Sequence, residues 1–313
     1  MTFRDTHIHT IVLVITGLVA LTSRLEPRWM ESAQYVLLAV GTILIGIPHG
    51  ATDNHVYQHA VQRSGIVSMP RFYIVYLVIA VAYGVFWLVA PTVSLAVFLL
   101  ISVYHFGQSN LFYTALPEGA GRKKALYITW GAFNLASPLL FRYDQAAPVI
   151  NYLLGYDPIP VTTALTVAPL VSGALLVMNV AILTVLLHRR VLSGADYWKE
   201  VAGFVVLLAL YTTAPLYVSF IVYWAFWHSV NSAIEIADTW PEPHAMARVV
   251  RFYRAALPLT VITFGGIAAV FWLAEAYGSP SALIGVFFVI IAALTLPHTV
   301  VMELLYRDKA QPT

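Results

Sequence analysis

Of the 313 residues in this chain, 60% are hydrophobic and only 10% are charged, and the net charge is +2. Soluble domains carry about a quarter charged residues, so this composition excludes an ordinary soluble domain and predicts a multi-pass protein of the lipid bilayer with no nucleic-acid partner. The chain has no cysteine, which excludes disulfides, a thiolate nucleophile and cysteine-ligated metals and leaves histidine as the soft metal ligand.

Ten apolar stretches predict membrane-spanning helices, because a span needs about 20 mostly apolar residues. We therefore predict an all-α, polytopic transmembrane helical bundle that forms a single integral membrane domain over residues 1–313. The predicted helices are 8–23, 33–52, 71–90, 92–113, 125–141, 162–187, 200–214, 216–237, 255–276 and 281–305.

Prolines and glycines mark the connections between these helices. Pro91 and Pro215 each separate two consecutive apolar stretches, which predicts very tight turns, since proline cannot continue a helix interior. The stretch 144–160 is rich in proline, glycine and aspartate and is predicted to be an interfacial loop. No small-residue cleavage site follows the first stretch, so we expect it to be retained as a helix.

The basic residues predict the orientation of the bundle. If the ten helices alternate in direction, 14 of the 17 lysines and arginines fall on the side of the N-terminus. Only Arg24, Arg28 and Arg142 fall on the opposite side. Cytoplasmic loops carry the excess of Lys and Arg in membrane proteins. We therefore predict that both termini are cytoplasmic and that the protein lies in the cell inner (plasma) membrane.

Four histidines occur inside the predicted helices, where ionisable side chains are costly and are therefore candidates for function. The motifs GIPHGATDNH, YHFGQSN, FWHS and LPHTVVME contain them as His49, His105, His228 and His298. Each lies about 18–26 Å along its helix, at 1.5 Å per residue, and the four helices share one direction. Neutral imidazole binds iron, zinc or copper, so we interpret the four as ligands of one metal. The alternative is ordinary hydrogen bonding between helices.

Carboxylates near these histidines are expected to balance the charge of the ion. Asp53 lies one turn beyond the first histidine on the same helix face, and Glu235 lies two turns beyond the third. Glu303, just over one turn beyond the fourth histidine, is a further candidate. The alternative for each acid is a helix end in cytoplasmic water. His55, six residues after the first histidine, is the fallback metal ligand.

Aromatic residues make up 13% of the chain and crowd the histidine motifs. Many belong to the membrane interfaces, but those in mid-helix suit an elongated apolar ligand that enters from the bilayer. Gly50 and Gly107 directly follow two of the histidines and serve either helix packing or substrate access. The aromatic residues predicted to bind substrate are Tyr104, Phe106, Tyr223, Trp224 and Trp227.

The motifs GIPHGATD, YHFG, FWHS and LPHTVVME, in this order, resemble those of the Brp/Blh family, the membrane-bound bacterial and archaeal β-carotene 15,15′-dioxygenases. The resemblance runs from about Gly46 to Glu303, and PHGxxD followed by YHFG is its most specific part. The first motif is matched by His49 and Asp53, the second by His105 and the third by His228.

The chain departs from this family pattern at two positions. Some members carry a second histidine where this chain has Ser232, and an acid often stands where it has Asn110. The first departure leaves the fourth metal ligand open between His298 and His55.

The resemblance implies a non-haem iron enzyme that uses Fe(2+) and O₂ to cleave β-carotene at its central double bond, giving two retinals. It implies no catalytic side chain beyond the metal ligands, because iron performs the chemistry and the protein places the polyene and excludes water. Proteins of this family often supply a retinal-binding rhodopsin, which is therefore an implied partner.

Other classes of protein use intramembrane histidines. A haem-binding electron-transfer protein remains an alternative. Its axial histidine pairs would be expected at two separate depths in the bilayer, whereas these four histidines cluster at one depth. A transporter would show broken helices and internal repeats, which the sequence lacks. A retinal-binding protein needs a buried lysine for its Schiff base, and every lysine is predicted in a loop or tail.

Overall fold

A computed structural model describes residues 7–61, 68–114, 116, 121–242, 244–275 and 280–310. These residues form helices and connecting turns, with no strand in the described ranges. The α-helices are α1 His7–Leu25, α2 Pro27–Gly41, α3 Ile47–Gly50, α4 Asp53–Val61, α5 Met69–Val89, α6 Pro91–Leu111, α7 Gly121–Phe141, α8 Tyr143–Leu154, α9 Val161–His188, α10 Gly194–Thr213, α11 Leu216–Ile221, α12 Val230–Ala237, α13 Ala245–Glu275 and α14 Pro280–Ala310. Two π-helical segments, Thr42–Gly46 and Val222–Ser229, join α2 to α3 and α11 to α12.

The predicted all-α, multi-pass character is confirmed. Within the described residues, seven helical segments are long and apolar enough to cross a membrane: α1, α2 through α4, α5, α6, α9, and most of α13 and α14. The other three predicted spans, 125–141, 200–214 and 216–237, are also helical. They are less apolar, and polar side chains such as Asn134 and Ser137 of α7 are buried within the protein rather than exposed.

The tight turns at Pro91 and Pro215 are confirmed, since α5 ends at Val89 and α10 ends at Thr213. The predicted loop over 144–160 is wrong in its first part, where α8 forms. Tyr143, Ala146 and Ala147 are buried at the i, i+3, i+4 spacing of a helix face, a pattern that the prolines and aspartates of this stretch conceal. The described residues 155–160 form no helix.

Lys123 is a second departure from expectation. It was predicted in a loop, but α7 begins four residues earlier than predicted, and Lys123 is buried in its first turn. Its Nζ donates hydrogen bonds to the carbonyls of Phe112 and Thr114, each at 3.1 Å. The ammonium therefore satisfies carbonyls just beyond the end of α6, and its contacts with backbone oxygens do not support a Schiff-base role.

The chain divides into two compact units. The first comprises the described residues of Met1–Gly46, Val103–Ala146 and Ile159–Glu235; the second comprises the described residues of Ile47–Ser102, Ala147–Pro158 and Ile236–Thr313. The chain passes from one unit to the other at five points, so neither unit is a continuous segment.

The first unit is built around α7. In this unit α7 packs against α9, α10 and α11, while α1 packs against α10 and α2 against α11. Phe204 of α10 lies between Trp130 and Phe133 of α7, with ring centroids 4.5 and 5.0 Å away. The Tyr211 hydroxyl donates to Asn134 Oδ1 at 2.9 Å, so this polar amide is satisfied inside an apolar core, as a bilayer requires.

Two glycines allow α6 and α7 to cross with their backbones in contact. A Cβ on Gly107 of α6 would collide with the carbonyl oxygen of Tyr127 on α7, and a Cβ on Gly131 would collide with the carbonyl oxygen of Val103. Gly107 therefore serves close helix packing, one of its two predicted roles, and the crossing fixes the segment of α6 that carries His105.

In the second unit, α14 packs against α4, α5 and α13. Tyr83, Trp87 and Ala292 form a buried cluster, and the Tyr83 hydroxyl donates to the Ser94 carbonyl at 2.7 Å across the Pro91 turn. These contacts hold α5, α6 and α14 together at one end of the unit.

Candidate metal centre

The second unit contains a pair of buried histidines, His49 and His298. His49 lies on the short α3, and His298 follows Pro297 inside α14. Their rings meet edge to face, with centroids 4.9 Å apart and an interplanar angle of 89°. Two imidazoles this close in an apolar bundle are a suitable start for a metal site.

Asp53, the predicted carboxylate partner, is 1% exposed and is fixed by two hydrogen bonds. His298 Nδ1–H donates to Asp53 Oδ1 at 2.8 Å, and the Tyr76 hydroxyl donates to Asp53 Oδ2 at 2.9 Å. Because an ionised carboxylate only accepts hydrogen bonds, Nδ1 of His298 carries the proton and Nε2 carries the lone pair. This is the carboxylate–histidine arrangement that orients metal ligands in proteins.

The first unit contains the second pair, His105 of α6 and His228 of the π segment Val222–Ser229. Both are 1% exposed. Their ring centroids are 4.8 Å apart at an interplanar angle of 75°. The spacing and edge-on contact closely match those of the first pair.

Ser109 performs for His228 the task that Asp53 performs for His298. The Ser109 hydroxyl donates to the Phe106 carbonyl at 3.1 Å and lies 2.8 Å from His228 Nδ1. This hydrogen bond between Ser109 Oγ and His228 Nδ1 fixes the orientation of the His228 ring. In both pairs, therefore, a neighbouring oxygen holds Nδ1 of one histidine and fixes the orientation of its ring.

Both π segments lie at histidines. The segment Val222–Ser229 contains His228, and Thr42–Gly46 ends three residues before His49. A π turn changes the direction in which later side chains point, and such segments are frequent at functional sites. In the first unit the two π segments pack together, and Gly46 allows this because a Cβ there would lie 2.7 Å from the Trp224 indole.

The other predicted carboxylates and the fallback ligand lie in different surroundings. Glu235 is buried on α12, and its part in charge balance stays a prediction. Glu303 is ion-paired with Arg307 at 2.7 Å, as the helix-end alternative predicts. His55 is half-buried on α4, with its ring 6.2 Å from that of Trp240.

The aromatic residues predicted to bind substrate all lie in the first unit. Phe106 contacts both His228 and Tyr223, with ring centroids 4.9 and 5.2 Å away. Trp224 stacks on Phe220. Substrate binding by these residues stays a prediction.

Two of the predicted substrate residues also have packing roles. The Trp227 indole donates to Thr16 Oγ1 at 2.9 Å, so it fastens the π segment to α1. Tyr104 packs edge to face on Tyr127, with ring centroids 5.8 Å apart.

The two positions that depart from the family pattern are buried in the first unit. Asn110 donates to the Phe106 carbonyl at 2.9 Å and to the Tyr223 hydroxyl at 3.3 Å, so an amide holds the place of the expected acid. Ser232 lies on α12, one turn after His228, and a hydroxyl there supplies no strong metal ligand.

The chemistry of the donor set fits a divalent transition metal. His49, His228 and His298 are buried and could bind a metal, with imidazole nitrogen as a donor suited to iron, copper or zinc. Asp53 is hydrogen-bonded to one of these histidines, His298.

Comparisons with known proteins agree with the motifs. A family described as beta-carotene 15,15′-dioxygenase matches residues 40–306. Among relatives, the beta-carotene 15,15′-dioxygenase of uncultured marine bacterium 66A03 is 24% identical over 269 residues, covering 85% of this chain and 91% of that protein. The probable beta-carotene 15,15′-dioxygenase Blh of Halobacterium salinarum is 27% identical, covering 90% of this chain and 86% of that protein. No solved structure matches the chain. Because the family match covers most of its length, the chain belongs to the beta-carotene 15,15′-dioxygenase family.

Proposed function

We propose that this protein cleaves β-carotene with O₂ at the central double bond and releases two retinals. The observation that carries the proposal is that the family match over residues 40–306 contains all four buried histidines and Asp53. The names of the relatives describe this reaction, and the apolar surface of the protein suits a substrate that arrives through the bilayer.

We propose that one Fe(2+) ion takes His49, His105, His228 and His298 as ligands. Each unit supplies two of these imidazoles. His105 belongs to this set because its ring packs on that of His228. Nε2 is the nitrogen that His228 and His298 would present, since their Nδ1 atoms are engaged by Ser109 and Asp53. Iron, when bound, supplies the activation of O₂.

The residues of this chain then orient the ligands and exclude water. Asp53 and Ser109 fix two imidazole rings, and Tyr76 fixes Asp53 in turn. Asp53 also offsets part of the positive charge that four neutral histidines leave on the ion, and Glu235 offsets a further part. Phe106 and Tyr223 place apolar surface beside His228, where a polyene would lie. No side chain is needed as a nucleophile or general base.

The topology that accompanies this function has ten membrane crossings in a single integral domain over residues 1–313. Both termini are cytoplasmic and the membrane is the inner (plasma) membrane, because the basic residues fall overwhelmingly on one side. A retinal-binding rhodopsin accepts the product.

The haem alternative finds less support in the ring geometry. Two axial imidazoles on opposite sides of an iron have ring centroids on the order of 6 Å apart, given metal–nitrogen bonds of about 2 Å. The centroids within the two pairs are 4.9 and 4.8 Å apart, and the rings meet edge to face. A porphyrin plane does not fit between rings in such contact. A reduced spectrum with sharp α and β bands would nevertheless decide for haem.

Co-expression in a β-carotene-producing host tests the proposal. We expect the orange colour to fade and retinal to appear in the pigment extract, identified by chromatography. The His105→Ala variant should leave the carotene intact, whereas Glu303→Gln, which alters a carboxylate paired with Arg307, should cleave normally. Unchanged carotene with a folded, iron-loaded protein would contradict the proposed reaction, and a product of a different chain length would contradict central cleavage.

A further inference from the structure

The second unit contains a groove of about 780 Å³ beside the first half of α13. Its apolar wall is formed by α13 residues such as Met246, Val250 and Leu259. Its polar wall is formed by residues of α4 and α5, including His55 and Tyr73. The groove thus combines a hydrocarbon surface with hydrogen-bonding groups.

Three arginines follow one another along α13, and their charges are balanced unequally. Arg248 is ion-paired with Asp238 and Arg251 with Glu242. The Arg251 guanidinium also lies over the Trp240 ring, 5.2 Å from its centroid. Two of the three positive charges are therefore paired with acids of the segment between α12 and α13.

The third arginine, Arg254, lines the groove and forms no hydrogen bond or ion pair with another described residue. A second donor stands in the groove as well. Asn54 Nδ2–H donates to the Tyr73 hydroxyl at 3.2 Å, so the Tyr73 O–H can itself donate to a further acceptor. The groove therefore carries an excess positive charge together with a hydroxyl donor, the complement of a phosphate group.

The groove lies at helix ends, a position that suits a lipid headgroup. It is formed where the helix through α4 ends and where α5 and α13 begin. These helix ends fall on the side that the basic residues mark as cytoplasmic, and that leaflet carries the anionic lipids of the membrane.

From these observations we infer that the α13 groove is a binding site for an anionic phospholipid. The phosphate contacts Arg254 and the Tyr73 hydroxyl, and an acyl chain lies along Met246, Val250 and Leu259. A free anion would leave the apolar wall without an occupant, and a hydrocarbon polyene would leave the Arg254 charge unmatched. The inference is independent of the reaction and of the metal.

Native mass spectrometry of the detergent-purified protein tests this inference without measuring activity. Phosphatidylglycerol and phosphatidylcholine with identical acyl chains would be titrated in parallel, and we expect retention of the anionic lipid alone. The Arg254→Gln variant should bind it about fivefold more weakly, the effect of one arginine near an anionic membrane surface. Arg189→Gln serves as the matched control, because it removes an exposed arginine directly after the end of α9.

A second variant tests the apolar wall. Ala255→Trp fills the groove without changing any charge, and we expect it to lose the lipid while eluting as the same monodisperse species. Equal binding of both lipids, or full retention of phosphatidylglycerol by Arg254→Gln, would overturn the inference. Protection against thermal unfolding by inorganic phosphate alone, equal to that given by phosphatidylglycerol, would instead assign the groove to a free anion.

Discussion

At the scale of single residues, the two histidine pairs share one chemical design. One ring of each pair has its Nδ1 atom held, by a carboxylate in one unit and by a hydroxyl in the other. A carboxylate can place a full negative charge beside an imidazole, whereas a hydroxyl places only a dipole there. The two rings are thus fixed alike, but only His298 gains electrostatic support from its partner.

Replacing Asp53 with alanine should therefore weaken iron binding strongly. The change removes the acceptor for His298 Nδ1–H and leaves the Tyr76 hydroxyl without its carboxylate. Loss of such a partner typically lowers metal affinity 10- to 100-fold. We expect this range when iron content is measured by elemental analysis after dialysis against a graded series of chelator concentrations.

Asp53→Asn separates orientation from charge, because the amide can still accept from His298 and donate to Tyr76. Its affinity should fall between those of the wild type and Asp53→Ala. Glu303→Gln is the control, since it alters another acid near His298 that is paired with Arg307. Wild-type iron content in Asp53→Ala would contradict the role of Asp53 in holding His298 for the metal. An equal loss in Glu303→Gln would show that the effect is not specific to the hydrogen bond between Asp53 and His298.

At the scale of elements, the crossing of α6 and α7 positions His105. The ring of His105 is carried by a helix whose distance from α7 is set by Gly107 and Gly131. Neither glycine has a side chain to separate the backbones, so the helices approach more closely than larger residues permit.

Gly107→Ala should therefore destabilise the protein even though it adds one methyl group. The new Cβ would collide with a backbone carbonyl, which cannot move aside as a flexible side chain can. Overpacking of this kind costs about 1–3 kcal/mol or more, and we expect a lower midpoint of thermal unfolding in detergent. Gly173→Ala on α9 is the control, because nothing lies within 4 Å of the added Cβ, and it should not lower the midpoint. Equal midpoints for the two variants would show that α6 and α7 are not in backbone contact.

At the scale of the whole molecule, the sequence predicted the long apolar helices and the ionisable residues within them. The spans follow from apolar length, and His49, His105, His228, His298 and Asp53 follow from the cost of ionisable groups in lipid. Hydroxyl residues such as Ser109 and Tyr76 are common in membrane helices, so nothing in the sequence marks them as partners of a histidine or its carboxylate.

The two π segments could not be predicted either, because their aromatic and glycine residues carry no periodic signal distinct from an α-helix. Packing of Gly41 and Gly46 against Ile221 and Trp224 accompanies them, and that packing is tertiary. The helix α8 and the buried Lys123 were missed for a related reason: proline, aspartate and lysine suggest exposure until their burial against other helices is known.

The orientation of the whole molecule gives the last prediction. Ten crossings place both termini on the side that holds 14 of the 17 basic residues, and seven crossings would place the termini on opposite sides. The three less apolar helices, α7, α10 and α11 through α12, decide between these counts. A fluorescent protein fused after Thr313 should fluoresce in the cytoplasm, and alkaline phosphatase inserted after Pro158, between α8 and α9, should be active outside it. Fusion at His188, the end of α9, should again report the cytoplasm. If all three crossings were absent and the N-terminus stayed cytoplasmic, the reporters at Pro158, His188 and Thr313 would all change sides. A periplasmic reporter at Thr313 would therefore contradict the topology of ten crossings.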